Sequence, residues 1–312
     1  MSEATKAPET VKAVLKAAVG AGSLSDPAFA GALDDHAEIV GAFVEALRSR
    51  SIFARLLDDG MIRLPLRTRA SIIVANATGY AVGEGLPVPI SAMSLAGPQL
   101  EERRAAAMVV LTSELLRSTS SAGRALLDAS LKGAVADAID AAFLGILADD
   151  ITPATASGPT AADALVDLKT MLDGVNSTGS GILLWAMSTD VANAASVLSG
   201  PGGLVFPAMS GTGGELVNLP AAVTNALPAG TLMLIDASGI AGELETITIA
   251  MADQASVQMS TTPDAPPNAA GVLTSLWQSN LVALLARAFF GAEVIRTGSV
   301  AILGEIDWGA TP

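Results

Sequence analysis

Apolar residues recur every four positions through Leu127, Leu131, Val135, Ile139, Phe143 and Leu147. That spacing keeps them on one helical face. It predicts a helix over 123–148, a spine roughly 37 Å long at about 1.5 Å per residue. Asp149, Asp150 and Pro153 end it. Upstream, Ile39, Phe43, Leu47 and then Phe53 or Leu56 form a similar stripe, which predicts a helix over about 34–56 with Asp34 or Asp35 as N-cap. Residues 1–34 read as a separate arm. Val11, Val14, Leu15 and Ala18 share a helical face beside Lys6, Lys12 and Lys16, and Gly20, Gly22, Ser23, Ser25 and Pro27 then break it.

The pattern changes over 60–98. Met61 to Arg69 alternates apolar and polar positions, Ser71 to Ala75 continues in β-branched residues, and Pro87 and Pro89 forbid helix. The segment reads as a long two-stranded ribbon with no core of its own, which has to lie on its own body or on another subunit. Residues 99–121 are ambiguous: propensity favours helix over Leu100–Leu116, whereas Met108-Val-Val-Leu-Thr112 favours strand. Residues 151–160 form a Thr/Ser/Gly/Pro linker. Beyond it we expect a helix over 161–172, a buried strand over 181–185, a helix over 191–198 and strands near 215–219, 231–236 and 245–259. Residues 260–270 are too proline-rich for regular structure. Leu273–Phe290 reads as strand then helix, and Val294-Ile295 with Val300–Leu303 as a closing β-pair.

Composition sharpens this picture. Of 312 residues, 51% are hydrophobic and only 15% charged, and mean hydropathy is +0.52. A soluble monomer carries about 25% charge. No apolar run reaches the roughly 18 residues of a membrane span, so the surplus apolar surface points to subunit contacts. An alanine-rich sequence would give the same figures without contacts, and both readings stand at this point. The net charge is −14, with 17 Lys and Arg and no basic run, which argues against gripping DNA by phosphate contacts. An acidic wall around DNA is physically reasonable, because it does not trap the polymer. The N-terminus lacks the basic and apolar regions of a signal peptide.

Candidate chemistry is sparse. Without cysteine, and with His36 as its one histidine, the chain cannot build a zinc site of the usual nitrogen and sulfur type. No G-x-S-x-G elbow accompanies His36. Gly211-Thr-Gly-Gly214 lacks the Lys-Ser/Thr of a phosphate loop and reads as a surface turn. The acidic doublets at 34–35, 58–59, 101–102 and 149–150 sit at expected element ends, where capping and solvation explain them. Trp185, Trp277 and Trp308 are dispersed and read as core or interface anchors. No catalytic constellation, metal site or cofactor site is expected.

The order of four stretches resembles the major capsid proteins of tailed bacteriophages with the Hong Kong 97-type fold. They are Val82-Gly-Glu-Gly-Leu-Pro-Val-Pro-Ile-Ser91, Val110-Leu-Thr-Ser-Glu-Leu-Leu-Arg-Ser118, Gly181-Ile-Leu-Leu-Trp-Ala-Met-Ser188, and Leu276-Trp-Gln-Ser-Asn-Leu-Val-Ala-Leu284 with Phe290-Gly-Ala-Glu-Val294 and Ser299-Val-Ala301. Together they cover roughly 40–308. The resemblance implies an α+β fold with an N-terminal arm and helix (1–59) and an extended loop (60–98). It further implies a peripheral domain with the spine helix (99–150 with 246–288) and an axial domain (151–245 with 289–312). It resolves 101–112 as a long strand followed by a short helix from Ser113.

The implied function is structural, with no enzyme activity. Copies would form the pentamers and hexamers of an icosahedral head that encloses double-stranded DNA in the virion, after assembly in the host cytoplasm. A separate scaffold, a portal and decoration proteins are implied as possible partners. The loop residues Arg63, Arg67, Arg69 and Glu84, and the tip prolines Pro263, Pro266 and Pro267, are the implied inter-subunit contacts. Some members cross-link through a loop lysine and a catalytic glutamate. Here 60–98 has no lysine, and Gln278 or Ser279 stands near the glutamate position, so no isopeptide bond is expected. A 34-residue arm is too short for a fused scaffold, so either the scaffold is a separate protein or this is already the processed form. Two rivals remain: an encapsulin-type nanocompartment shell, told apart by particle content, and a soluble α/β enzyme, which a monomer in sedimentation would favour.

Overall fold

The computed structural model describes residues 51–67, 72–75, 78–84, 90–91, 94–97, 99–176, 179, 181–245, 247–263 and 272–309. The arm 1–34 lies outside them. The chain divides into two compact units, one of 1–44, 106–134 and 248–287, the other of 45–105, 135–247 and 288–312.

In the second unit, a seven-stranded sheet runs in the order 154–155, 300–304, 232–236, 183–187, 219–223, 213–216, 209–210. Its central strands Leu183–Met187 and Leu232–Asp236 are buried at every position. Burial on both faces is why they read as unbroken apolar runs, without alternation. They pair antiparallel, Trp185 opposite Leu234. Helices Ala161–Val175 and Thr189–Val197 close the core with Leu168, Met171, Val191 and Ala195, around Trp185 and Trp308. Both indoles are satisfied: Trp185 Nε1 donates to the Leu216 carbonyl at 3.0 Å, and Trp308 Nε1 to Asp167 Oδ2 at 3.3 Å.

The same unit holds helix Ile52–Asp59, whose Phe53 packs on Phe143 and Phe290 with ring centroids 4.8 and 6.0 Å apart. Strand Ile62–Arg63 pairs parallel with Ile240–Leu244, which pairs antiparallel with the end of Leu281–Val294. In the other unit, Thr248–Ala252 pairs with residues 283–287 of that strand, and Ser256–Gln258 pairs with Leu273–Ser275. Leu276, Leu281 and Ala283 pack there with Val110 and Val257.

The spine helix spans Ser121–Ala148, 28 residues, or about 42 Å. Leu131, Val135, Ile139, Phe143 and Leu147 of the expected stripe are buried. Strand Arg103–Thr112 and helix Ser113–Ser118 match the reading drawn from the resemblance. Three expectations need correction. The helix expected over 34–56 does not run through Ser51, an extended N-cap whose hydroxyl accepts the Ala54 N–H, so Phe53 and Leu56 belong to a helix that begins at Ile52; residues 34–50 lie outside the described ones. The helix expected at the end of 273–290 is strand Leu281–Val294. Val294 and Val300 do not pair with each other: Val294 lies opposite Ile240, and Val300 opposite Ile235.

Candidate assembly surfaces

The ribbon expected over 60–98 is an antiparallel pair, Ile72–Ala75 with Ser94–Ala96, and its register shifts between Ile73 and Ala75. Its base is fixed to the body. Met61 and Leu64 are buried, and Leu64 packs with Leu100 and Ala241. Arg67 ties the two ends of the ribbon together. Its N–H donates to the Leu100 carbonyl at 3.4 Å, its carbonyl accepts from Gln99 Nε2 at 3.3 Å, and its guanidinium pairs with Glu102. Its φ of 62° is one that a non-glycine residue rarely adopts. Arg63 reaches back to Asp58 Oδ1 at 2.9 Å and to the Leu57 carbonyl, so it satisfies a carbonyl at the C-terminal end of the helix. Both arginines thus have partners within the chain. Glu84 is exposed, as are Tyr80, Val82 and Ile90. Arg69 lies outside the described residues.

At the expected tip, Pro263 is exposed, and Pro266 and Pro267 lie outside the described residues. The hairpin below the tip leaves Val272 and Leu273 exposed, with Trp277 just beyond it. Elsewhere Leu165, Val166, Val197 and Leu204 stand in solvent on the helices and the short 199–204 hairpin. Sequence reasoning missed these last four, because they fall within otherwise ordinary amphipathic helices and a Gly-rich loop.

Ionic side chains serve the fold. Asp140 is buried and accepts the Ile52 N–H at 2.9 Å, the Phe53 N–H at 3.1 Å and the Ser51 hydroxyl at 3.0 Å. Those donors cover the open N-terminus of the helix. Burial pushes the Asp140 carboxyl above its ordinary value, against the pull of these hydrogen bonds. Asp236 is also buried; it accepts from the Ile182 and Ser238 N–H groups, both at 3.0 Å, and pairs with Arg296. Sequence patterning reveals neither cluster, since the partners lie far apart in the chain. Gly211-Thr-Gly-Gly214 turns between paired strands, Gly213 opposite Ser210.

Among the described residues, no group of three or more His, Cys, Asp and Glu is placed to hold a metal, and no helix is long and apolar enough to cross a membrane. A cleft of about 540 Å³ is lined by Asp137, Asp140, Thr189, Thr212, Thr224 and Asn225, but its one buried carboxylate is already engaged by Ser51, Ile52 and Phe53. What stands out is exposed apolar side chains on a ribbon, a hairpin and two helices.

A family model described as the phage capsid family matches residues 36–304. The capsid polyprotein of Pseudomonas phage PAJU2 is 32% identical over 96% of this chain and 49% of its own length, so the chain spans about half of that relative. A solved chain from Gordonia phage Cozz superposes with a TM-score of 0.57 at 14% identity, covering 82% of this chain and 86% of that one. One from Mycobacterium phage Bobi gives 0.54 at 14%, over 80% and 89%. The chain belongs to the phage capsid family, and its mixed α+β architecture is the Hong Kong 97-type capsid fold.

Proposed function

We propose that the chain is the major capsid protein of a tailed-phage head and assembles into the pentamers and hexamers of an icosahedral shell around double-stranded DNA. The observation that carries this reading is the family match over 36–304. The exposed apolar side chains of the ribbon, at Tyr80, Val82 and Ile90, support it, because apolar side chains left in water gain by burial against a partner. In this reading 60–98 is the extended loop laid across a neighbouring subunit. Residues 99–150 with 246–288 form the peripheral domain, whose tip at 260–270 meets other tips where capsomers join, and 151–245 with 289–312 form the axial domain around the ring axis. Rings close because each heterologous contact repeats by a closing rotation.

Arg69, Glu84, Pro263, Pro266 and Pro267 would contact neighbours directly. Arg63 and Arg67 would act by fixing the angle at which the loop leaves the body. The role is structural, not enzymatic; assembly takes place in the host cytoplasm, and scaffold, portal and decoration proteins are further partners. Electron microscopy and sedimentation of the expressed protein test this. Closed shells support it, and a monomer at assembly concentrations overturns it. Protein cargo in place of DNA in natural particles would instead identify a nanocompartment shell.

A further inference from the structure

Trp277 is 75% exposed, whereas Trp185 and Trp308 are 0% and 3%. An exposed indole on a mobile loop would mean little, but this one sits on a fastened turn. On one side of it, Leu276 is fully buried and its N–H donates to the Ala255 carbonyl at 2.9 Å. On the other side, the Asn280 carbonyl accepts the Ser113 N–H at 3.0 Å, and the Asn280 side chain bonds Glu114. The Leu281 N–H closes the turn onto the Leu276 carbonyl at 2.8 Å. Asn280 takes a φ of 53° to make this closure, a conformation that asparagine tolerates better than most residues. The turn therefore holds the backbone that carries the indole, so a partner that meets it has only the side chain to order.

The charge pattern points to the occupant. The chain carries a net charge of −14, yet no charged residue occurs from Ala265 to Ala286. Val272 and Leu273, at the start of this uncharged stretch, are also exposed. Copies of a strongly acidic chain repel one another unless they meet through neutral apolar surface. Among the described residues, Glu114 is the one carboxylate bonded to the turn, and the Asn280 side chain already engages it, so the stretch offers a basic partner little. We infer that the Trp277 turn is an anchor buried against a second copy of this chain, a contact separate from the 60–98 loop and the 260–270 tip. The inference rests on the shell-forming reading above.

The two other tryptophans are already buried, so fluorescence reports on Trp277 selectively. On assembly of the full chain, emission should shift to the blue and acrylamide quenching should fall. Trp277→Phe should abolish the change in quenching, because only the buried indoles remain. Trp277→Ala should raise the protein concentration needed for shells by about tenfold or more, as truncation of an interfacial hot spot does. Its circular dichroism and melting temperature before assembly should match the wild type, since little burial is lost. Wild-type shells in which Trp277 stays as quenchable as before overturn the inference and leave the shell-forming reading intact. So does an indole protected only after a separate protein is added. A wild type that makes no shells overturns the shell-forming reading, and this inference falls with it.

Discussion

At the scale of single residues, buried aspartates tie distant segments together, and Asp140 and Asp236 are two of them. Asp140 lies on the spine helix and supplies the acceptors for the first amides of Ile52–Asp59. Asp140→Ala leaves the Ile52 and Phe53 N–H groups without this acceptor and takes away the acceptor of the Ser51 hydroxyl, which still accepts the Ala54 N–H. Each unmet buried group costs about 1–3 kcal/mol, so a loss of roughly 3 kcal/mol is expected in urea unfolding of the unassembled protein. The pH dependence follows from the raised carboxyl pKa. Between the ordinary carboxylate value and the raised one, the folded state binds more protons than the unfolded chain. Stability contributed by this group is therefore full below that window and declines as pH rises through it. Asp140→Asn cannot titrate. The wild-type advantage over Asp140→Asn should shrink as pH rises through the window and then level off; an advantage that grows with pH would contradict the assignment.

Asp236 presents a simpler case. Arg296→Met removes its only ion-pair partner among the described residues. Breaking a buried pair costs about 3–5 kcal/mol. The Ile182 and Ser238 donors remain, which places the expected loss near the lower end, about 3 kcal/mol, read from the same unfolding midpoints.

At the scale of elements, legibility followed periodicity. The spine helix was readable because one face is buried along its length, and the capped helix 161–175 likewise, with Thr160 and Asp163 closing a capping box. Strand 281–294 was misread in part. Leu281-Val-Ala-Leu-Leu-Ala is rich in strong helix formers. The strand is buried on both faces over much of its length, so the alternation that marks a half-exposed strand is missing. Its long-range pairing, with 240–244, 248–252 and strand 103–112, settles the conformation, and no local window holds that information. The Ser51 cap is not legible for a different reason: an apolar stripe in the sequence does not show where along it a helix begins. The tight crossing near Gly291 was equally hidden. A Cβ on Gly291 would lie 2.8 Å from the backbone oxygen of Glu101 and 2.9 Å from Leu66 Cδ2. Backbone cannot yield as a side-chain end can, so Gly291→Ala is expected to cost about 1–3 kcal/mol. A variant with an unchanged melting temperature would show that the segment carrying Glu101 adjusts freely.

At the scale of the whole molecule, the question is what holds copies of an acidic, cysteine-free chain together. Disulfides are excluded, and the ribbon has no lysine with which to form an isopeptide bond. Shells boiled in SDS should therefore run as one band at the 31.2 kDa monomer mass; a ladder would overturn the non-covalent reading. A stable non-covalent contact buries on the order of 1,600 Å², and several segments of a chain can share in supplying it. The stretch over residues 1–34, which its sequence leads us to expect as a separate arm, is a proposed source. Its apolar face at Val11, Val14, Leu15 and Ala18 is too short to be a stable helix alone, so it gains by binding a surface. If 1–34 acts as a separate arm, its deletion should leave the melting temperature of the unassembled protein within about 2 °C. In sedimentation the same deletion should move material from closed shells toward capsomers and monomers. Shells that form in undiminished yield would show that the ribbon, the tip and the Trp277 turn suffice without the arm.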